Sequence, residues 1–196
     1  MIRATYGAIV EGLYDVGVFE ELIPRVCPYP ADVSVREAGG RNKLMSRFPQ
    51  LIRMFEHCTI TGGAVDRVLV IRDSNGKPSE VVEADMRSRI GPRTYAFQGL
   101  EVHAVRQETE AWLLADPTAI SRVAHRTAQT VAGPLENRPH AKEDLMDVLS
   151  DVHLQYTPET CRQIAREIDL QVLRAACPSF LLFEQKVQVP PQLPGL

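Results

Sequence analysis

The sequence contains no C-x-x-C pair, no long apolar run, no G-x-x-x-x-G-K-[ST] loop and no excess of positive charge. Its four cysteines, Cys27, Cys58, Cys161 and Cys177, are scattered over 196 residues. That spacing argues against a zinc site or a disulfide framework and for reduced thiols. No stretch approaches the roughly 18 apolar residues of a membrane span, and the N-terminus lacks a signal-peptide core, so a cytoplasmic location away from membranes is expected. Without an NTP-binding loop of its own, the chain would depend on a partner for any ATP-driven step. A net charge of -3 provides no global field for nucleic acid, so such a partner must be held by a local basic patch.

What is present is ordinary globular material, 44% apolar and 24% charged, enough for one sizeable core. The first half alternates strand and helix signals. "TYGAIV" (5–10) is short, apolar and β-branched, as in a strand buried on both faces. Val18, Phe19, Leu22 and Ile23 recur at helical spacing within 15–23, and Pro24 marks a stop. "DVSVRE" (32–37) alternates as a second strand, and "AGGRNK" (38–43) is a loop. Phe48, Leu51, Ile52 and Phe55 form a helical stripe in which Pro49 predicts a kink or a helix start. "DRVLVIRD" (66–73) is the strongest strand. Val82, Met86 and Ile90 space a helix that Gly91-Pro92 ends. "TYAF" (94–97) and "LEVHAV" (100–105) are further strand candidates.

From about Glu108 the pattern turns helical. A helix through Trp112 ends at Asp116-Pro117, a pairing that suits the start of the next. "KEDLMDVLSDV" (142–152) is another. "TPETCRQIAREIDLQVLRAAC" (157–177) reads as one helix with Cys161, Ile164, Ile168 and Val172 on one face. "SFLLFEQ" is a short last helix and "VQVPPQLPGL" an extended tail. The expected fold is α/β, a mostly parallel small sheet flanked by helices with a helical C-terminal extension: an α/β domain over 1–107, helices over 108–188 and a tail over 189–196.

In such sheets the functional crevice lies at the carboxyl ends of the strands. Glu11 and Asp73 each follow a buried strand, and on neighbouring strands they could share a hard divalent cation, since Mg²⁺ takes oxygen ligands and needs only one or two carboxylates. Asp15 and Glu110 are further candidate ligands, and Asn75-Gly76 following Asp73 adds to the signal. Asp73 equally suits an Asx turn with Asn75-Gly76, and Asp15 a helix N-cap. Acids at Glu108 and Glu110 also complement a helix dipole. The loop residues Gly40, Arg41, Asn42 and Lys43 are candidate phosphate contacts. His103 is expected in the core or on an edge strand, and Trp112 in the core.

"IVEGLYD" and "VLVIRDSNG" resemble the two acidic motifs of the Toprim domain, found in bacterial primases, topoisomerases and overcoming-lysogenization-defect nucleases. With "AGGRNKL", "VRQETEAWLLADP" and "CPSFLLFEQ", the chain resembles a small Toprim-like bacterial family often encoded near ATPases in mobile or defence loci. The resemblance implies a Toprim fold with acids gathered around Mg²⁺, or Mn²⁺, and catalytic roles for Glu11 and Asp73. Asn75 stands where the family's second motif has an acid, and an amide brings no charge to a metal. The implied activity is metal-dependent phosphodiester hydrolysis of DNA or RNA, with an ATPase as protein partner. The alternative is a non-catalytic module that binds a partner or nucleic acid in a defence or toxin-antitoxin system. Receiver and dehalogenase-type phosphatase domains need an acidic pair or D-x-D after the first strand, and Glu-Gly fits neither.

Overall fold

Four parallel strands make one sheet, in the order β2-β1-β3-β4. They are β1 (Ala4–Val10), β2 (Ala31–Glu37), β3 (Arg67–Asp73) and β4 (Gly99–Val105). The computed structural model describes residues 3–63 and 65–188. Helices α1 (Leu13–Val26), α2 (Arg41–Ile60) and α3 (Ser79–Ile90) connect the strands. After β4 come α4 (Glu110–Leu113), α5 (Pro117–Ala124), a 3₁₀ turn (Leu135–Asn137), α6 (Ala141–Asp151), α7 (Pro158–Glu167), α8 (Leu170–Ala176) and α9 (Pro178–Gln188). The α/β class with flanking and C-terminal helices is as the sequence indicates. The extended tail proposed for the C-terminus falls, from residue 189, outside the described residues.

The period-two alternation of a strand divides the apolar residues between two layers. Tyr6, Ala8 and Val10 of β1, with Leu69 and Ile71 of β3 and Val105 of β4, face α1 and the C-terminal helices. Ile9, Val68, Val70, Val102 and Ala104 face α2 and α3. The first layer is anchored by Trp112, fully buried as expected, whose ring meets Phe19 and Phe180 edge-on at 5.9 and 5.2 Å. Each such side chain contributes about 1.5–3 kcal/mol by burial. His103 is also buried, on the edge strand β4 against Trp112 and Phe183.

Several boundaries differ from the expectation. Pro24 lies inside α1, whose last turn is held by Arg25 donating to the carbonyls of Ala165 and Ile168 at the end of α7. Pro49 lies inside α2, which starts at Arg41 and runs for 20 residues. In both cases the proline removes one backbone bond and packing sustains the rest. "TYAF" is not a strand: the Ala96 amide donates to the Glu56 carboxylate, and Tyr95 stacks on Phe97 at 5.0 Å. The helix expected over 157–177 is two. Asp169 caps α8 by accepting from the Gln171 amide, while its own amide turns away to Asp116. Val172, expected on the inner face, is 39% exposed.

Candidate functional site

The sheet order reverses between β1 and β3: from β1 the chain moves outward to β2, then returns to the other side of β1 for β3. Connections leaving the carboxyl ends of those two strands diverge, which is where open α/β sheets carry their functional residues. Glu11 follows β1 there and Asp73 ends β3. Asp15 reaches the same place from the first turn of α1, where its Oδ2 also accepts from the Gly12 amide at 3.0 Å. Cap and site member are therefore one residue. The β4–α4 turn supplies Thr109, and the first residue of α4 supplies Glu110. Thr109 donates to Asp73 Oδ1 from both its amide and its hydroxyl, each at 3.0 Å. The four carboxylates of Glu11, Asp15, Asp73 and Glu110 are close enough to perturb one another.

Their electrostatics are unfavourable as they stand. Burial, then repulsion from Asp15, Glu110 and Glu11, raises Asp73 well above the ordinary carboxylate range, against the Thr109 hydrogen bonds. Burial and then Glu110 push Asp15 up to about 7. Burial raises Glu11 too, offset first by Arg72 and then by Arg41. Arg72 Nε stands 3.5 Å from Glu11 Oε1, an oxygen that is buried and accepts no hydrogen bond. Tyr156 donates to Glu110 Oε1 and stacks on Tyr14 at 4.5 Å, with Lys142 Nζ over both rings. Between Glu11, Asp15, Asp73 and Thr109 there is no room for a water-sized sphere.

The donor set suits a hard divalent cation in its chemistry: all carboxylate oxygens, mutually repelling, one of them buried and accepting no hydrogen bond. Among the described residues, no group of three or more His, Cys, Asp or Glu side chains is arranged to hold a metal ion. Mg²⁺ does not require such a cage. It commonly keeps several waters and takes one or two carboxylates, a demand that Glu11 and Asp73 meet in kind.

The other candidates lie around this centre. Arg41, Asn42 and Lys43 are not in a loop, as expected, but form the first turn of α2; only Ala38, Gly39 and Gly40 link it to β2. Gly40 (φ 99°) adopts a conformation that disfavours a side chain, and its amide donates to the Glu11 carbonyl at 2.7 Å. Arg41 Nη1 donates to Asn75 Oδ1 at 3.1 Å, and Asn75 Nδ2 to the Asp73 carbonyl at 3.1 Å. The Asn75 amide thus ties α2 to β3. Asn42 and Lys43 are exposed. Thr109, Arg72, Tyr156 and Lys142 were not singled out from the sequence. Thr109 stands in a conspicuous segment, but Tyr156 meets Glu110 only through the packing of α7, 46 residues away.

A family model described as Domain of unknown function (DUF4276) matches residues 15–188, a span that includes Asp15, Asp73 and Glu110 and begins after Glu11. No curated protein and no solved structure matches the chain.

Proposed function

This chain belongs to the DUF4276 family, and from the site it carries we propose that it is a Mg²⁺-dependent phosphodiesterase acting on nucleic acid. The supporting observation is the gathering of four carboxylates at the switch point of the sheet, two of them with proton affinity raised by burial and by their neighbours. Folding does not place such a cluster at one sheet edge without electrostatic cost, and a divalent cation relieves it.

In this reading Glu11 and Asp73 hold Mg²⁺ or Mn²⁺, with Asp15 and Glu110 beside them. A bound cation would make water a better nucleophile and neutralise charge developing on the scissile phosphate. Thr109 fixes the Asp73 carboxylate, and Tyr156 orients Glu110. Arg72 favours the ionised form of Glu11. In the metal-free protein burial and Glu110 push Asp15 up to about 7, and a cation bound beside it would lower that value. Arg41 and Lys43 face phosphates of the backbone. No helix among the described residues is long and apolar enough to cross a membrane; a cytoplasmic location belongs to the same reading.

Hydrolysis of labelled DNA and RNA with Mg²⁺ or Mn²⁺ tests it, comparing wild type with Glu11→Gln. Cleavage that requires metal and falls by about 100-fold or more in the variant is expected. Equal traces from both proteins would sink the reading. A second reading, a non-catalytic binding module, is favoured by the commitment of Asn75 to Arg41. Under it, Mg²⁺ titration calorimetry shows no heat with wild type, and Asp73→Ala behaves identically.

A further inference from the structure

A second feature of the same sheet edge lies outside the carboxylate cluster. A cleft of about 410 Å³ opens on the β3–β4 side, lined by Ser74, Gly76, Lys77, Ser79, Arg106 and Gln107. Its floor is fixed to the site. Ser74 follows Asp73, its Oγ accepts from the Gln107 amide at 2.9 Å, and the Asn75 amide donates to the Gln107 carbonyl at 3.0 Å. Two residues after Gln107, Thr109 holds Asp73.

Among the described residues, neither the Lys77 ammonium nor the Arg106 guanidinium has an ion-pair or hydrogen-bond partner. Arg72, on the strand that leads into this edge, is by contrast occupied by Glu11 and Asp85. Glu80, at the rim, is the one carboxylate among the lining residues. Along this sheet edge Arg41 and Lys43 stand at the start of α2, after β2, while Lys77 follows β3 and Arg106 follows β4. A repulsive centre with cationic flanks suits a phosphodiester strand laid across it, the flanking phosphates held by Coulomb attraction.

We propose that Lys77 and Arg106 form a second phosphate seat for a polynucleotide strand, so that the strand crosses the carboxylates and the bond cut is internal. The cutting half rests on the phosphodiesterase reading: water oxygen bonds to phosphorus, one P–O ester bond breaks, and the water proton passes to the departing oxygen. The seat itself does not depend on that reading.

Binding is measured by fluorescence anisotropy of labelled single-stranded oligothymidylate in EDTA, over a range of salt. Lys77→Ala/Arg106→Ala should bind on the order of tenfold more weakly, and its log-affinity against log-salt slope should fall by about 1.4, two single-strand contacts at about 0.7 each. Both side chains lack partners, so its melting temperature should match wild type. Unchanged affinity and slope overturn the seat. Thymidine 5′-monophosphate binding as tightly as the oligomer, and lost in the same variant, overturns the strand in favour of a mononucleotide. With Mg²⁺, a covalently closed single-stranded circle should be cut as readily as a linear strand; a linear strand cut and a circle spared overturn the internal cut. If neither is cut while the variant loses affinity, the phosphodiesterase reading fails and the seat stands.

Discussion

At Asp73 two hydrogen bonds from Thr109 favour the ionised carboxylate, yet its proton affinity is raised. Burial and three acidic neighbours outweigh two donors, so this charge opposes folding at neutral pH. Asp73→Asn keeps an acceptor for Thr109 and removes the charge. We expect it to raise the melting temperature in EDTA by about 2–4 °C, close to 1 kcal/mol for a chain of this size, and to abolish any shift that Mg²⁺ or Mn²⁺ gives wild type. A lower melting temperature would mean that the charge is already compensated. His103 sends the opposite pH signal. Burial, then the nearby Lys186, lowers it from 6.5 to about 3; both ring nitrogens lack hydrogen-bond partners, with the Glu83 carboxylate 3.8 Å from Nδ1. The unfolded chain takes up this proton first, so stability falls as pH drops below about 6.5 and the loss stops near pH 3. In urea titrations at pH 7 and pH 5, wild type should lose about 2 kcal/mol more than His103→Leu on acidification. Parallel losses would contradict a neutral buried imidazole.

Helix α1 carries Asp15 and lies against α7 closely enough that a Cβ at Gly17 would stand 2.6 Å from Arg162 Cβ. In an open helix Gly→Ala gains up to about 1 kcal/mol. Here two backbone-proximal carbons collide and the helices must separate, so Gly17→Ala should destabilise by about 1–3 kcal/mol in chemical denaturation. A stabilised variant would show the interface to be loose. The elements themselves divide by what makes them. The apolar runs 5–10 and 66–73 are strands for reasons internal to them, and the acids that follow them stood out for the same reason. Asp116-Pro117 and Gly91 mark helix boundaries by local chemistry alone. Pro24 and Pro49 signalled boundaries that the fold overrides, since Arg25 and the Phe48–Phe55 stripe compensate for one missing bond each. The break at Asp169 depends on Asp116, 53 residues earlier, and no window of local periodicity contains it. Tyr156 on Glu110 is hidden in the same way.

At the scale of the whole molecule, one face of the sheet and the helices after β4 bury a single apolar cluster in which Tyr6, Val10 and Phe19 share surroundings with Trp112, Ile164 and Phe183. A fragment of residues 1–107 therefore exposes that face. It should bind a hydrophobic dye strongly and lack cooperative thermal unfolding, whereas a fragment that melts cooperatively would show the sheet domain to be self-sufficient. The same interdependence makes Lys142 of α6 and Tyr156, between α6 and α7, part of the rim of the carboxylate cluster rather than a separate covering. One contact extends the point. The Tyr6 hydroxyl, on the first strand, donates to the carbonyl of Val187, 181 residues later, at 2.8 Å. A nascent chain leaving the ribosome can thus pair β1 with β2 early, but it cannot seal the layer beneath them until α9 has emerged. Loops this long close slowly, so until synthesis ends the apolar underside of the sheet lacks its C-terminal cover and is open to aggregation.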